Sequence, residues 1–90
     1  MTKTFPSADE MLDKLDVSGD VLRRAFKISI YSGRRAIVEN HRGVLDFTPD
    51  RIEIAAERSK VYVMGTGLLI KAINKSDMLI IGKIQSVEWE

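Results

Sequence analysis

Residues 51–63 read Arg51-Ile52-Glu53-Ile54-Ala55-Ala56-Glu57-Arg58-Ser59-Lys60-Val61-Tyr62-Val63. Ile52 and Ile54 face one way and Arg51 and Glu53 the other, at the period of two that brings alternate side chains to one face of a sheet. Beyond the polar turn Glu57-Arg58-Ser59, Val61 and Val63 alternate with Lys60, Tyr62 and Met64. A strand with one wet side, a short reversal and a second alternating strand predict an antiparallel β fold.

Toward the N-terminus, Val44 to Thr48 reads as a strand ended by Pro49-Asp50, because proline suits position i+1 of a turn and has no N–H for a ladder. Asn40-His41-Arg42-Gly43 reads as a tight hairpin turn with glycine at the position needing positive φ. Ahead of it, Phe26, Ile28 and Ile30 alternate with Lys27, Ser29 and Tyr31, Ser32-Gly33 turns the chain, and Ala36 and Val38 continue the pattern. Toward the C-terminus, Gly65-Thr66-Gly67 gives the chain freedom to reverse. Leu68–Ile73 and Met78–Ile81 are almost wholly apolar, which predicts inner strands covered on two faces, separated by the polar turn Asn74-Lys75-Ser76-Asp77. After Gly82-Lys83, Val87 and Trp89 share a parity that Ile84 lacks, which predicts a bulge near Gln85 and Ser86.

The result is a mostly β chain of about eight short antiparallel strands, a meander forming a small sandwich or partly open barrel. Its short connections exclude helical crossovers. A small parallel β-solenoid is the alternative, and the lack of any pattern repeating at a fixed period counts against it. The start of the chain differs. Ser7 and Glu10 have capping-box spacing, and Met11, Leu12 and Leu15 form a narrow apolar stripe, predicting a short helix over Ser7–Leu15. A second helical turn is expected from Ser18 or Asp20 through Arg24. Ninety residues hold one core, so residues 1–19 are read as a partly flexible helical leader and residues 20–90 as a single β domain.

The chemistry available is limited. Without cysteine there is no disulfide, thiolate ligand or thiol nucleophile. His41 is the one histidine, which excludes a two-histidine metal site within the chain, and its place in a turn reads as structural. Asp46, Asp50, Glu53, Glu57, Asp77, Glu88 and Glu90 are scattered over turns and outward faces rather than paired across a cleft. No serine sits in a nucleophile elbow, and Gly65-Thr66-Gly67 is too short for a phosphate loop. The sequence therefore predicts no enzyme, cofactor or metal.

Charge is close to balanced at +1, from 14 basic and 13 acidic side chains, so any electrostatic argument has to be local. The window with Arg23, Arg24, Lys27, Arg34, Arg35 and Arg42 contains only Glu39 as an acid and is a candidate interaction site. It lacks the interleaved aromatics that stack on bases, which places an acidic protein ahead of nucleic acid as its partner. The second candidate is apolar: Leu69, Ile73, Leu79, Ile81 and Trp89 in the hydrophobic final third, with Trp89 read as either closing the core or anchoring a partner. No apolar run approaches the roughly 20 residues that cross a bilayer, and no signal-peptide core follows Met1–Phe5. A cytoplasmic chain is the expectation.

The stretch Val38-Glu39-Asn40-His41-Arg42-Gly43-Val44-Leu45-Asp46-Phe47-Thr48 resembles the hallmark segment of the YabP/YqfC sporulation proteins, nearer to the YqfC branch. Asp20-Val21, Gly65-Thr66-Gly67 with Leu68-Leu69-Ile70-Lys71, and Gly82-Lys83-Ile84-Gln85-Ser86-Val87-Glu88-Trp89 extend the likeness over residues 20–89 and leave the helical leader outside it. The family turn is Asn40, His41, Arg42 and Gly43. The resemblance implies a protein of the mother cell of an endospore former, working beside a multi-pass membrane protein as a cytoplasmic subunit at the forespore membrane. It supplies no catalytic residues. The function expected is a non-enzymatic assembly factor that binds another sporulation protein or copies of itself, with a basic module reading phosphates of nucleic acid or anionic lipid as the alternative.

Overall fold

The computed structural model describes residues 24–90, in which the two-residue period becomes six antiparallel strands. They are β1 (Lys27–Tyr31), β2 (Arg35–Glu39), β3 (Val44–Phe47), β4 (Arg51–Ala56), β5 (Ser59–Ile73) and β6 (Asp77–Trp89). All belong to one open sheet in the order β1-β2-β6-β5-β4-β3. Every pairing is antiparallel, which removes the solenoid alternative. The predicted helix over Ser7–Leu15 lies outside the described residues, as does the second helical turn apart from its last residue, Arg24.

Six strands replace the expected eight because two predicted reversals are bends. Gly65-Thr66-Gly67 lies inside the 15-residue β5, and Gly82-Lys83 lies inside the 13-residue β6. Nor is the chain a simple meander: β2 pairs with β6, and the hairpins β1–β2 and β3–β4 dock on opposite edges of the long β5–β6 hairpin. The first pairs with Asp77–Ile81 of β6, the second with Ser59–Met64 of β5. Each is held at the bend by its own turn. Gly82 N–H donates to the Arg34 carbonyl (3.1 Å) and Ile84 N–H to Gly33 (2.8 Å), while Gly65 N–H donates to Asp50 (3.0 Å) and Leu68 N–H to Pro49 (2.8 Å).

The bend is sharp. Phe26 precedes Lys27, whose ladder leads through Glu39 to Asp77, and Trp89 lies at the other end of the strand that Asp77 begins. A straight strand of that length would separate the two ends by roughly 40 Å. Instead the rings of Phe26 and Trp89 meet edge to face, with centroids 5.3 Å apart and planes at 83°. The sheet thus folds into two halves, β1-β2-β6-β5 on one side of the bend and β6-β5-β4-β3 on the other, enclosing a single core. Ala36, Val38, Met78 and Ile80 from the first half pack with Ile52, Ile54 and Val63 from the second, and Leu68 sits at the bend.

Turn chemistry follows the sequence reading at several points. Ser32 and Gly33 both have positive φ (54° and 63°), as mirror-image hairpin turns require, and Arg34 N–H donates to the Tyr31 carbonyl at 3.0 Å. Asn74 Oδ1 accepts from the Ser76 and Asp77 amides (2.9 and 2.7 Å), closing the β5–β6 turn. The bulge expected near Gln85 is present: Met64 pairs with Ser86 and Gly65 with Ile84, so Gln85 is the unpaired extra residue.

At the bend the two backbones approach too closely for side chains. A Cβ on Gly65 would lie 1.9 Å from the Lys83 carbonyl oxygen, and one on Gly82, whose φ is +133°, would lie 2.6 Å from that of Gly67. Gly82→Ala therefore meets both overlap and backbone strain, and should lower the unfolding free energy in urea by about 3 kcal/mol or more. Gly33→Ala has positive φ but meets no overlap, the Ile84 carbonyl oxygen lying 3.8 Å from the added Cβ, so its expected loss is nearer about 1 kcal/mol.

Candidate functional site

The two half-sheets share a core but differ on their outer faces. Outside the second half, the cross-strand rows are Arg51–Met64–Ser86, Glu53–Tyr62–Glu88 and Ala55–Lys60–Glu90, the last joined by mutual backbone hydrogen bonds between Lys60 and Glu90. Charge dominates there. Lys60 lies 4.0 Å from Glu53, Arg51 lies 3.9 Å from Asp46, and the Arg51 guanidinium sits 5.1 Å above the Tyr62 ring. The Tyr62 hydroxyl donates to the Glu90 carboxylate; that bond first, with Glu53 adding to it, pushes the phenol well above the ordinary tyrosine range and keeps it a donor.

Outside the first half, the rows are Tyr31–Arg35–Ile81–Leu69, Ser29–Ile37–Leu79–Ala72 and Lys27–Glu39–Asp77. Ile37 is 39% exposed and Leu69 50%, Ala72 is exposed, and Leu79 and Ile81 are half-buried only by their neighbours. The prediction that Leu68–Ile73 and Met78–Ile81 are covered on two faces is therefore corrected. Leu68, Met78 and Ile80 point into the core, and the alternate side chains form an uncovered apolar face. A shallow groove lined by Ile37, Ala72, Ile73, Asn74, Asp77, Met78 and Leu79 crosses its far end.

Of the apolar residues singled out in the sequence, Leu69, Leu79 and Ile81 share this face. Ile73 pairs with Met78 at the end of β5, in register with the core side, and is 52% exposed because the sheet stops there. Trp89 lies elsewhere, 58% exposed against Phe26, in register with the buried Val61. Sequence reasoning missed Ile37 and Ala72. A signal existed for Ile37, since in Ala36-Ile37-Val38 the largest side chain has the parity opposite to the core pair.

The basic window divides. Arg23 lies outside the described residues. Arg34 and Arg35 sit at the β1–β2 turn, a strand length away from Lys27, which lies 3.8 Å from Glu39. Arg24 and Arg42 come together with Lys75, Asn40, His41 and Ser76 around a shallow recess of about 270 Å³. Lys75 was not singled out in the sequence. Glu57 is the nearby acid, 4.0 Å from Arg42, and both side chains are well exposed, so the pair adds little stability.

Asn40-His41-Arg42-Gly43 is not a hairpin turn. It carries the chain from β2 in one half to β3 in the other, strands that do not pair. Its anchor is His41, 6% exposed. The His41 N–H donates to the Ser76 carbonyl (3.0 Å), the Gly43 N–H donates to Nδ1 (3.0 Å), and Nε2 lies 3.1 Å from the Asn74 carbonyl. With Nδ1 accepting, the proton belongs on Nε2, which donates to Asn74. Both ring nitrogens are committed to holding the crossing against the β5–β6 turn, so the imidazole is a brace. The crossing then joins β4, with Arg42 N–H on the Ala55 carbonyl (2.7 Å) and Ala55 N–H on Gly43 (2.9 Å). Among the described residues no group of histidine and carboxylate side chains could hold a metal, and no helix is long and apolar enough to cross a membrane.

The profile of the YabP family matches residues 23–90. The chain belongs to the YabP family. The match takes in every strand, the crossing segment and both glycine bends. A curated relative, the uncharacterized protein YqfC of Bacillus subtilis (strain 168), is 27% identical over 75 residues, covering 83% of this chain and 81% of that protein. No solved structure matches. The resemblance read from residues 38–48 is thereby established, and in this YabP-family chain that segment is the link between the half-sheets.

Removing the brace would leave the Gly43 amide and the Asn74 carbonyl without their partner in a partly buried place. His41→Ala should cost about 1–3 kcal/mol in chemical denaturation. Imidazole ¹⁵N spectra of the wild type should show the proton on Nε2.

Proposed function

We propose that this YabP-family chain is a non-enzymatic assembly factor in endospore formation, and that it docks a protein, either another sporulation protein or a copy of itself, on the outer face of its first half-sheet. The observation that carries the reading is the contrast between the two outer faces. One is covered with charges that pair among themselves; the other presents Ile37, Leu69, Ala72, Leu79 and Ile81 to solvent. A contiguous apolar patch on a domain whose core is already closed marks an interaction surface. The sporulation role follows the family expectation, and so do the cytoplasmic face of the forespore membrane as the place of work and a membrane protein as the partner. Among the described residues the side chains close a core around no reaction cavity, which suits scaffolding rather than turnover.

Leu79 is central to the face and is not part of the core, which makes it the position to alter. In sporulating cells whose only copy carries Leu79→Asp, the protein should stay folded by circular dichroism, yet lose recovery with the forespore membrane fraction and lower the yield of heat-resistant spores about tenfold or more. A folded variant with wild-type recovery and spore yield would sink the reading.

A second reading rests on the recess where Arg24, Arg42 and Lys75 converge. As a phosphate-reading site it would bind anionic vesicles or nucleic acid with an affinity that falls steeply with salt. Arg42→Glu should then abolish binding at low ionic strength, whereas Arg35→Glu, at the other end of the hairpin, should leave it intact.

A further inference from the structure

The apolar face has a charge pattern along the strand direction. Its first row contains Arg35, its middle row Ile37–Leu79–Ala72 is uncharged, and its last row contains Glu39 and Asp77 beside Lys27. Among the described residues Arg35 has no carboxylate at ion-pair distance, and Glu39 has only the long contact to Lys27. Rows on one face are two residues apart, roughly 7 Å along the strands. A face with a cation at one end, a net negative row at the other and an uncharged centre is complementary to itself when turned end for end.

Resting on the docking role argued above, we propose that the occupant of this face is a second copy of the chain. The two copies stack outer face to outer face about a two-fold axis running along the Ile37–Leu79–Ala72 row. That operation places Ile37 over Ile37 and Leu79 over Leu79, and brings each Arg35 over Glu39 of the second copy, so one surface serves both sides as a closed two-fold dimer requires. The half-sheet on the far side of the bend has no equivalent pattern: its outer rows mix both signs within a strand's width and already pair internally.

The area sets the strength. The patch offers a few hundred Å² per copy, below the roughly 800 Å² per partner of standard stable interfaces. The dimer is therefore weak, with a dissociation constant on the order of 10–100 μM, and it loosens with salt because its charges lie at an exposed rim.

Sedimentation equilibrium of the full chain tests this, from about 5 to about 500 μM protein at low and high salt. The expected result is a monomer–dimer equilibrium for the wild type and a monomer throughout for Leu79→Asp. Arg35→Glu and Glu39→Arg should each weaken association about tenfold, and the double variant should return to within about threefold of the wild type. Circular dichroism of each variant separates lost association from lost folding. A wild type that stays monomeric overturns the proposal, as does a dimer that survives Leu79→Asp or a double variant no better than the singles. In parallel, cross-linking in sporulating cells distinguishes the two claims. If the wild type is monomeric while Leu79→Asp still loses a heterologous cross-link, self-pairing falls and the docking face stands; if neither depends on Leu79, both fall.

Discussion

Two backbones crossing within contact distance at Gly65, Gly67 and Gly82 are the constraint on which the rest of the structure depends. At Gly65 against Lys83, and at Gly82 against Gly67, the spacing leaves no room for a Cβ, and this lets a hairpin of 15- and 13-residue strands fold back across its middle. Without the fold-back, the buried faces of β2 and β4 would lie side by side on one flat sheet with its apolar side exposed. With it, Val38 and Ile80 on one half meet Ile52 and Ile54 on the other in a shared core. Four carbonyls, from Gly33, Arg34, Pro49 and Asp50, accept the amides that the bend would otherwise leave unpaired. The turns of the two short hairpins thus satisfy the bend of the long one.

A fold made this way needs its halves tied together at the other end too. The chain passes between them once outside the long hairpin, at residues 40–43, and His41 fixes that passage. An apolar residue there could fill the space, but it could not accept from the Gly43 amide and donate to the Asn74 carbonyl at once. Neutral imidazole is the side chain with one donor and one acceptor on opposite edges of a rigid ring. The segment that carries the family likeness is in this sense explained by architecture, and no catalytic role for the histidine is required.

What could be read from the sequence, and what could not, divides along local and non-local physics. Alternation in Arg51–Ile54 and Lys60–Val63 gave the right inward residues, because one-face burial is written into a period of two. Pro49-Asp50, Ser32-Gly33 and Asn74–Asp77 were recognisable as turns for reasons internal to four residues. Gly65-Thr66-Gly67 was misread as a reversal because glycine sends the same local signal for a turn and for a close backbone crossing; only the pairing of Thr66 with Lys83 tells them apart. Asn40-His41-Arg42-Gly43 was misread as a hairpin turn for a similar reason, since the partners of His41, Asn74 and Ser76, lie more than thirty residues away. The basic window looked continuous in the chain because sequence neighbours such as Lys27 and Arg34 fall at opposite ends of one hairpin.

The uncovered face could be put down to strand propensity rather than to a partner, since β-branched side chains favour extended backbone whether or not anything packs on them. That account would serve for Ile37 and Ile81. It does not serve for Leu69, Leu79 or Ala72: leucine is not β-branched, and alanine is depleted in strands. It also fails to explain why the outer face of the other half-sheet, built on the same long hairpin under the same backbone demands, is made of Arg51, Glu53, Lys60 and Glu88. The two faces share strands and differ in chemistry, so strand propensity alone does not account for the difference. A charged face suits water; a face of leucine, isoleucine and alanine, bordered by Arg35 at one end and Glu39 and Asp77 at the other, suits the docking role proposed for it.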